Sequence, residues 1–600
     1  MGASRHPPSG ASVAHSAIYL AASLPSLYAI YLLPSHIMLS IFASAQAATT
    51  NPATSSRQRL SSLATGLGHS LDSANVFPTL QSSSSLSPEL VATCTLAAIF
   101  LLTTVVWRFV GPASFFDQFR SKGKKQKNKH ALPTPPIVRI PREIQLSEAG
   151  HAAYNRALDE HGDVVIIPRH GRMEYVVDHH HVRDVLTDAN SYSFEKAVTN
   201  MLHMEFMLWF KNGTFVQELD KLVQDGVTPR LRAVVEKIAP VFSQEAQDVF
   251  AKQGGGDSID QVEIPDMYEW IHHSIARAMV ILILGEQYLD EDMTKRFMDV
   301  VVAVANLSGI YENTRGWRYL PWLWSLKTTL GAIFLTVVPR FFFGILPRMY
   351  ANKDNHLNHG VDVENDEYAP FFDLLAAKHR DRKTGRLSFL NFVWCAVVCL
   401  GIIFASIHQT AVVAAWCVMN LAKRTEYQAE IRAEIESCLE QDADGNRQLT
   451  VESLRRAEKL DSFIRETMRT KGDVFAPVRF TVRDVRVGKY IIPKGALVAP
   501  YVKRAHEHAD NYGDQGKIFD GRRWVGERPA VQGSHDFISF GLGRWACPGR
   551  HLAVAELKMV VATLFDAYDV TLKDGHFEAA DPMNATSVAP AGIVQLRKRR

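Results

Sequence analysis

The segment from His535 to Leu557, HDFISFGLGRWACPGRHLAVAEL, constrains this chain more than any other. A short apolar strand (Phe537, Ile538) is expected to enter a Gly-rich loop (Gly541, Gly543), with Cys547 just before Pro548 and Gly549 open a helix. That order suits a metal-binding thiolate. Proline loses nothing in a first helical turn, and the free amides and helix dipole beyond it favour negative charge on sulfur. The glycines let a large flat ligand approach the backbone. Three other readings compete. A lone cysteine is commonly a small buried hydrophobe. The loop also matches a dinucleotide fingerprint, G-x-G-x-x-A from Gly541 to Ala546 with Asp569 beyond, but too little chain follows to complete a doubly wound sheet. Finally, Cys547 and His551 lie one helical turn apart, as do Cys395 and Cys399, so a Cys3His zinc site can be drawn. The strongly apolar surroundings of Cys395 and Cys399 argue against it.

The 600 residues allow several domains or one large enzyme with a leader. A net charge of +3, with no basic stripe interleaved with aromatics, gives no case for a nucleic-acid partner. Six irregularly spaced cysteines argue against a disulfide scaffold and for a reducing compartment. Residues 1–89 read as a leader. Its hydrophobic stretch, Ala17 to Ala47, is broken by Pro25 and Pro34; signal peptide, second span and artefact of the assigned start all stay open. The Ser-rich run from Thr49 to Pro88 is expected to be disordered. Residues 90–110 read as a transmembrane anchor, since Leu90 to Val106 with Trp107 and Phe109 supplies about the 20 apolar residues that a bilayer requires. Residues 111–141 form a basic, Pro-rich hinge whose lysines hold the following chain on the cytosolic side.

Residues 142–600 read as one globular unit. DVVIIP and MEYVVD alternate as a hairpin, and VRDVLTDA begins helical spacing. Gln217 to Phe242 is amphipathic with a break at Pro229. Gly316 to Met349 is rich in aromatics (Trp317, Trp322, Trp324, Phe334, Phe341 to Phe343); a third membrane span is one reading, which Pro339 and Arg340 interrupt midway, and ordinary core packing is another. Phe389 to Leu421 is apolar nearly all round, which means either a buried helix or a membrane span. A span there would separate the cysteine loop from the anchor's cytosolic lysines, so the buried helix is preferred. Its middle carries a polar patch, ASIHQT (Ala405 to Thr410), which needs partners or a ligand-lined cavity if buried. Charged amphipathic helices follow at Arg424 to Leu439 and in AEKLDSFIRETMR, where Glu466 and Arg469 lie three apart, a spacing that alone means a surface ion pair.

Phe540, Gly543, Cys547 and Gly549 reproduce the haem signature Phe-x-x-Gly-x-Arg-x-Cys-x-Gly, so the chain resembles the cytochrome P450 family, and its fungal membrane-anchored members in particular. The resemblance implies a mainly α fold with small β-sheets and haem b held by Cys547 as the axial iron ligand, with Phe540, Gly543, Trp545 and Arg479 around the cofactor. Trp545 stands where the family has Arg or His; an indole N–H donates one hydrogen bond but carries no charge. The family's Trp-x-x-x-Arg helix has no counterpart. ASIHQT aligns with the oxygen-activation motif and so offers His408, Gln409 and Thr410 as catalytic residues, a satisfied core histidine being the alternative for His408. Glu466 and Arg469 match Glu-x-x-Arg, and Arg523 of FDGRRW completes a structural triad, with Gly521 where a proline is usual. APVRFT and IIPKG resemble strands of the pocket floor, and the aromatic segment resembles helices roofing the pocket against the bilayer. The anchor, basic run and proline hinge resemble a microsomal anchor, which implies the endoplasmic reticulum membrane with a cytosolic catalytic domain. Sequons at Asn212, Asn306 and Asn584 are then expected to be unused. The expected activity is insertion of one oxygen atom from O2 into a lipophilic, terpenoid-like molecule of fungal secondary metabolism. NADPH-cytochrome P450 reductase would supply the electrons, with cytochrome b5 as a further partner. A haem-thiolate isomerase, dehydratase or peroxide-using enzyme is the alternative within the fold; a non-catalytic tethered haem- or zinc-binding protein is the alternative outside it.

Overall fold

The architecture follows from one helix that has almost no polar face to give to water. Phe389–Lys423 runs 35 residues in the computed structural model, its first turn capped by Ser388, whose side chain accepts the Asn391 N–H. The structure describes residues 133–599 except 170–171, 202–212, 253–258, 312–315, 317–320, 354–365, 442–446 and 473–477. The leader, the anchor, the hinge as far as residue 132, Trp317 and Asn212 lie outside the described residues.

This central helix is wrapped by Met267–Leu284, Glu291–Leu307, Phe371–His379 and Arg550–Ala567. Trp394, Cys395, Cys399, Ile403 and Ile407 are fully or almost fully buried along it. Close approach of the Phe215–Gly226 helix depends on Gly401, where a Cβ would lie 2.8 Å from Phe215 Cζ. Length and apolarity alone would let both Phe389–Lys423 and Leu323–Asn352 cross a membrane. For the central helix, the packed neighbours account for the apolar composition.

Ten strands matter for placing the site: β1 (Val164–Arg169), β2 (Arg172–Val177), β3 (Tyr192–Ser193), β4 (Gln261–Ile264), β5 (Arg479–Thr481), β6 (Val485–Val487), β7 (Tyr490–Ile492), β8 (Leu497–Pro500), β9 (Tyr568–Leu572) and β10 (Val594–Lys598). One sheet has the order β1-β2-β8-β5-β3, a second β9-β10-β4, and β6-β7 is a separate hairpin. The expected β1–β2 hairpin is antiparallel, with Val164 opposite Val177 and Arg169 opposite Arg172. β8 then adds parallel to β2 and antiparallel to β5, which sets Val498 opposite Arg479. The sheet thereby carries Arg479 inward.

Four local expectations are corrected. Phe537 and Ile538 form no strand; Phe537 closes a tight turn through a single bridge to Ser534, and both side chains are buried. The following helix begins at Arg550 with Gly549 as its N-cap, so Pro548 lies just outside it. The Arg424–Leu439 helix is shorter, a turn at Thr425–Tyr427 preceding Gln428–Cys438. Pro339 and Arg340 do not interrupt the aromatic segment, which is helical from Pro321 to Asn352. The wider turn at Gly331–Ile345 is π-helical and accommodates a proline, and Arg340 pairs with Asp299 at 2.9 Å. Val337, Phe341 and Ile345 face the core while Leu335 and Phe343 are exposed.

Candidate active site

Cys547 is held by its own loop. Gly541 and Gly543 take positive φ angles of 71° and 70°, the left-handed region that disfavours side chains. At Gly543 the restriction is also spatial, because a Cβ would lie 3.3 Å from the Leu186 carbonyl oxygen. The loop closes when the Cys547 N–H donates to Phe540 O at 2.8 Å, and Arg550 Nη1 donates to Cys547 O at 2.9 Å. Burial pushes the thiol pKa up, opposed by the Gly549 N–H and the Arg550 charge. A coordinated metal ion reverses that balance and deprotonates a thiol outright.

Arg479, Gly543 and Trp545 come together although 64 positions separate Arg479 from Gly543 (543 − 479). Arg479 Nη2 donates to Leu186 O at 3.4 Å, the carbonyl against which Gly543 packs, and its guanidinium lies 5.1 Å from the Phe194 ring centroid. Trp545 packs on the same Phe194 ring at 5.5 Å, with Arg544 over its own ring at 5.0 Å. Phe194 is thus the shared surface between the two. Nothing in SYSFEKA marks it in advance. Burial lowers the Arg479 pKa to about 10.

His408 and Gln409 meet at Ser587 of the C-terminal segment rather than at the cysteine loop. His408 is fully buried; Nε2 lies 3.0 Å from Ser587 O and Nδ1 lies 3.2 Å from Tyr268 Oη. With a carbonyl on one nitrogen, Nε2 carries the hydrogen and Nδ1 accepts from the tyrosine. Burial lowers its pKa to about 4, despite the bond to Ser587, so the ring is neutral at pH 7. Tyr311 and Phe404 complete its aromatic surroundings. Gln409 Nε2 donates to Ser587 Oγ at 3.2 Å, while its Oε1 is buried with no hydrogen-bond partner. Thr410 is buried on the next position of the helix. Ser587 and Tyr268 were not legible as partners, since both are distant in sequence and sit in unremarkable local patterns.

Glu466 is enclosed by donors on every side. Arg469 grips it through Nε (2.8 Å) and Nη2 (2.6 Å), Arg523 Nε reaches Oε1 at 3.2 Å, and the Asp520 N–H and Trp524 Nε1 each donate at 3.0 Å. Arg469 also donates to the carbonyls of His506 (2.7 Å) and Ile518 (3.0 Å). Gly521 fits this segment because its N–H donates to Tyr427 Oη at 3.2 Å, which a proline could not do. A Cβ there would also meet Phe463 at 2.8 Å.

The cytochrome P450 family model matches residues 133–595. The chain is 32% identical over 210 residues to cytochrome P450 monooxygenase 151 of Postia placenta, covering 33% of this chain and 41% of that protein. It is 32% identical over 179 residues to cytochrome P450 714C2 of Oryza sativa subsp. japonica (30% and 33% covered), and 32% identical over 213 residues to cytochrome P450 monooxygenase atmQ of Aspergillus flavus (33% and 39% covered). The chain therefore spans only about two fifths or less of these relatives' length. A retinoic acid-bound cyanobacterial CYP120A1 structure superposes with a TM-score of 0.57 at 16% identity, covering 78% of this chain and 100% of that one. The chain belongs to the cytochrome P450 family and has its fold. Membership brings a thiolate-ligated haem, and the residues present fit one. A half-buried cysteine sits in a glycine loop, a buried guanidinium suits a propionate, and an orphaned amide oxygen lies on the central helix.

Burial alone would raise the Glu466 pKa, but the Arg469 bonds and charge, the Asp520 N–H and Arg523 outweigh it and hold the carboxyl below its usual range. Its stabilising contribution is therefore complete above the unfolded carboxylate pKa, about 4.3, and is lost as pH falls through the lower folded value. Glu466→Gln leaves Arg469 buried without its charge partner and is expected to cost about 3–5 kcal/mol. Denaturant unfolding at pH 7 checks this, and the gap between wild type and variant should narrow as the pH approaches 3.

Proposed function

We propose that this chain is a membrane-anchored haem-thiolate monooxygenase that inserts one atom of O2 into a lipophilic small molecule. The other oxygen atom leaves as water, with two electrons drawn from NADPH through NADPH-cytochrome P450 reductase and cytochrome b5 as a further donor. The observation that carries the reading is the half-buried Cys547, held in its glycine loop near Arg479 and Trp545, within a chain matched as a cytochrome P450 over residues 133–595. When bound, the haem supplies the binding and reductive activation of O2. Cys547 would ligate its iron, and Arg479 and the Trp545 indole N–H would hold its propionates; Phe540 O accepts the cysteine N–H, and Gly543 lets the loop lie against Leu186. Glu466, Arg469 and Arg523 fix the surrounding backbone and take no part in chemistry. The expected signature is the red-shifted Soret band of the reduced carbon-monoxide complex. Cys547→Ala should abolish it, and a band retained in that variant removes Cys547 as the ligand.

For proton supply, the geometry favours Gln409 and Thr410 over His408. Both ring nitrogens of His408 are engaged and burial keeps the ring neutral, so we assign it to positioning Tyr268 and the Ser587 segment. Gln409 Oε1 is a buried acceptor suited to hold a water, with Thr410 adjacent. Proton delivery of this kind contributes about 10²–10⁴-fold. Gln409→Ala should release more hydrogen peroxide per NADPH consumed, whereas Gln409→Thr should stay coupled. Equal coupling in both variants takes residue 409 out of the path. The isomerase or dehydratase reading draws on the same departure from a hydroxyl side chain, and product formed in the absence of O2 would establish it.

The substrate class proposed is a lipophilic, terpenoid-like intermediate of fungal secondary metabolism, a reading supported by the fungal relatives and by Leu335 and Phe343 on the outer face of the aromatic helix. Product identification by mass spectrometry after feeding candidate substrates to microsomes carrying this chain tests it. The apolar run at 90–110 and the lysines after it support a place on the cytosolic face of the endoplasmic reticulum. Protease added to sealed microsomes should then digest the catalytic domain, and protection or glycosylation at Asn212 would overturn that topology.

A further inference from the structure

Away from the cysteine loop, a second cluster of metal-ligating side chains forms where two turns meet. Asp178 to His181 follows β2, and His508 with Asp510 opens the short Ala509–Tyr512 helix. His179, His180 and Asp510 each offer one ligand atom, and the three atoms lie within 4.8 Å of one another. Asp510 Oδ2 is 3.3 Å from His179 Nε2 and 3.6 Å from His180 Nε2. Two ligand atoms at about 2.0–2.1 Å from one tetrahedral zinc ion stand roughly 3.3–3.4 Å apart, so these two edges already have nearly the spacing of a loaded site.

The tautomer of His179 supplies an independent argument. Its Nδ1 is in close hydrogen-bond contact with Asp178 Oδ1, and the same oxygen accepts Arg504 Nε at 2.9 Å. Asp178 Oδ1 thus occupies the Nδ1 side of the ring, where it accepts the ring hydrogen. That leaves Nε2 directed at an oxygen of Asp510, 3.3 Å away, a gap that holds either the ring's own hydrogen or a metal ion. A carboxylate on the far ring nitrogen is also the arrangement that orients zinc-binding histidines and raises their basicity. His508 reinforces the site: its Nδ1 accepts the Asp510 N–H at 3.2 Å, and its ring centroid lies 4.0 Å from that of His179.

We infer that His179, His180 and Asp510 bind one Zn²⁺ ion, with water completing a tetrahedral set and Asp178 holding His179 in the ligating tautomer. The ion ties the turn after β2 to a helix that lies 331 positions further along the chain, across His179 and Asp510. Its role is structural.

The test uses the full-length haem protein in detergent, stripped with EDTA, titrated with zinc sulfate alone and desalted, with zinc per haem iron read by mass spectrometry. His180→Ala and Asp510→Asn are the variants of choice, because both side chains are mostly exposed (61% and 54%) and their loss leaves the core untouched. Wild type should bind one zinc per haem, and each variant should bind it at least tenfold more weakly while keeping its haem. Zinc should raise the unfolding temperature of wild type alone. Absence of bound zinc in wild type would show that a proton fills the gap, and wild-type affinity in either variant would place any zinc elsewhere; each result overturns the site.

Discussion

The carboxylate of Glu466 is the constraint on which the rest of the structure depends. It and Arg469 are both fully buried, so neither charge can be left alone. Arg469 uses its remaining donors on the carbonyls of His506 and Ile518, and Glu466 accepts the Asp520 N–H, so the pair fixes the backbone of the segment that leads to the cysteine loop. His506 carries the constraint one step further, because its Nε2 accepts the Ile538 N–H at 3.0 Å. A single carboxylate thus positions the entry to the loop that presents Cys547.

From that entry, glycine geometry decides the rest. Positive φ at Gly541 and Gly543 reverses the chain, and the missing side chain at Gly543 lets it lie against Leu186. Arg479 arrives at the same place through sheet register, β5 being aligned by β8 so that Val498 faces it. The central helix contributes by apolar packing, and its ASIHQT patch breaks that pattern in the middle. His408 satisfies its polarity internally, whereas Gln409 retains an unsatisfied acceptor. That contrast separates a positioning residue from one that can hold a ligand or water.

What the sequence determined was the chemistry that depends on adjacency. The glycine-cysteine-helix order, the Glu466–Arg469 spacing, the β1–β2 hairpin and the apolar helix are all local patterns, and local patterns survive in a string of residues. Even the departures were visible there, as Trp545, Gln409 and Gly521. What only the tertiary structure decided were the partners. Glu-x-x-Arg at i, i+3 reads as a surface pair worth a few tenths of a kcal/mol, and burial turns it into a lock. His408 becomes a satisfied core histidine because Ser587 and Tyr268, 179 and 140 positions away, close on its two nitrogens. Phe194 joins Arg479 to Trp545 with no mark in its own segment, and Asp510 reaches His179 across most of the domain. Side-chain type and spacing are inherited from the chain, but desolvation and long-range contact set the protonation state and role of each group, and both exist only once the chain has folded.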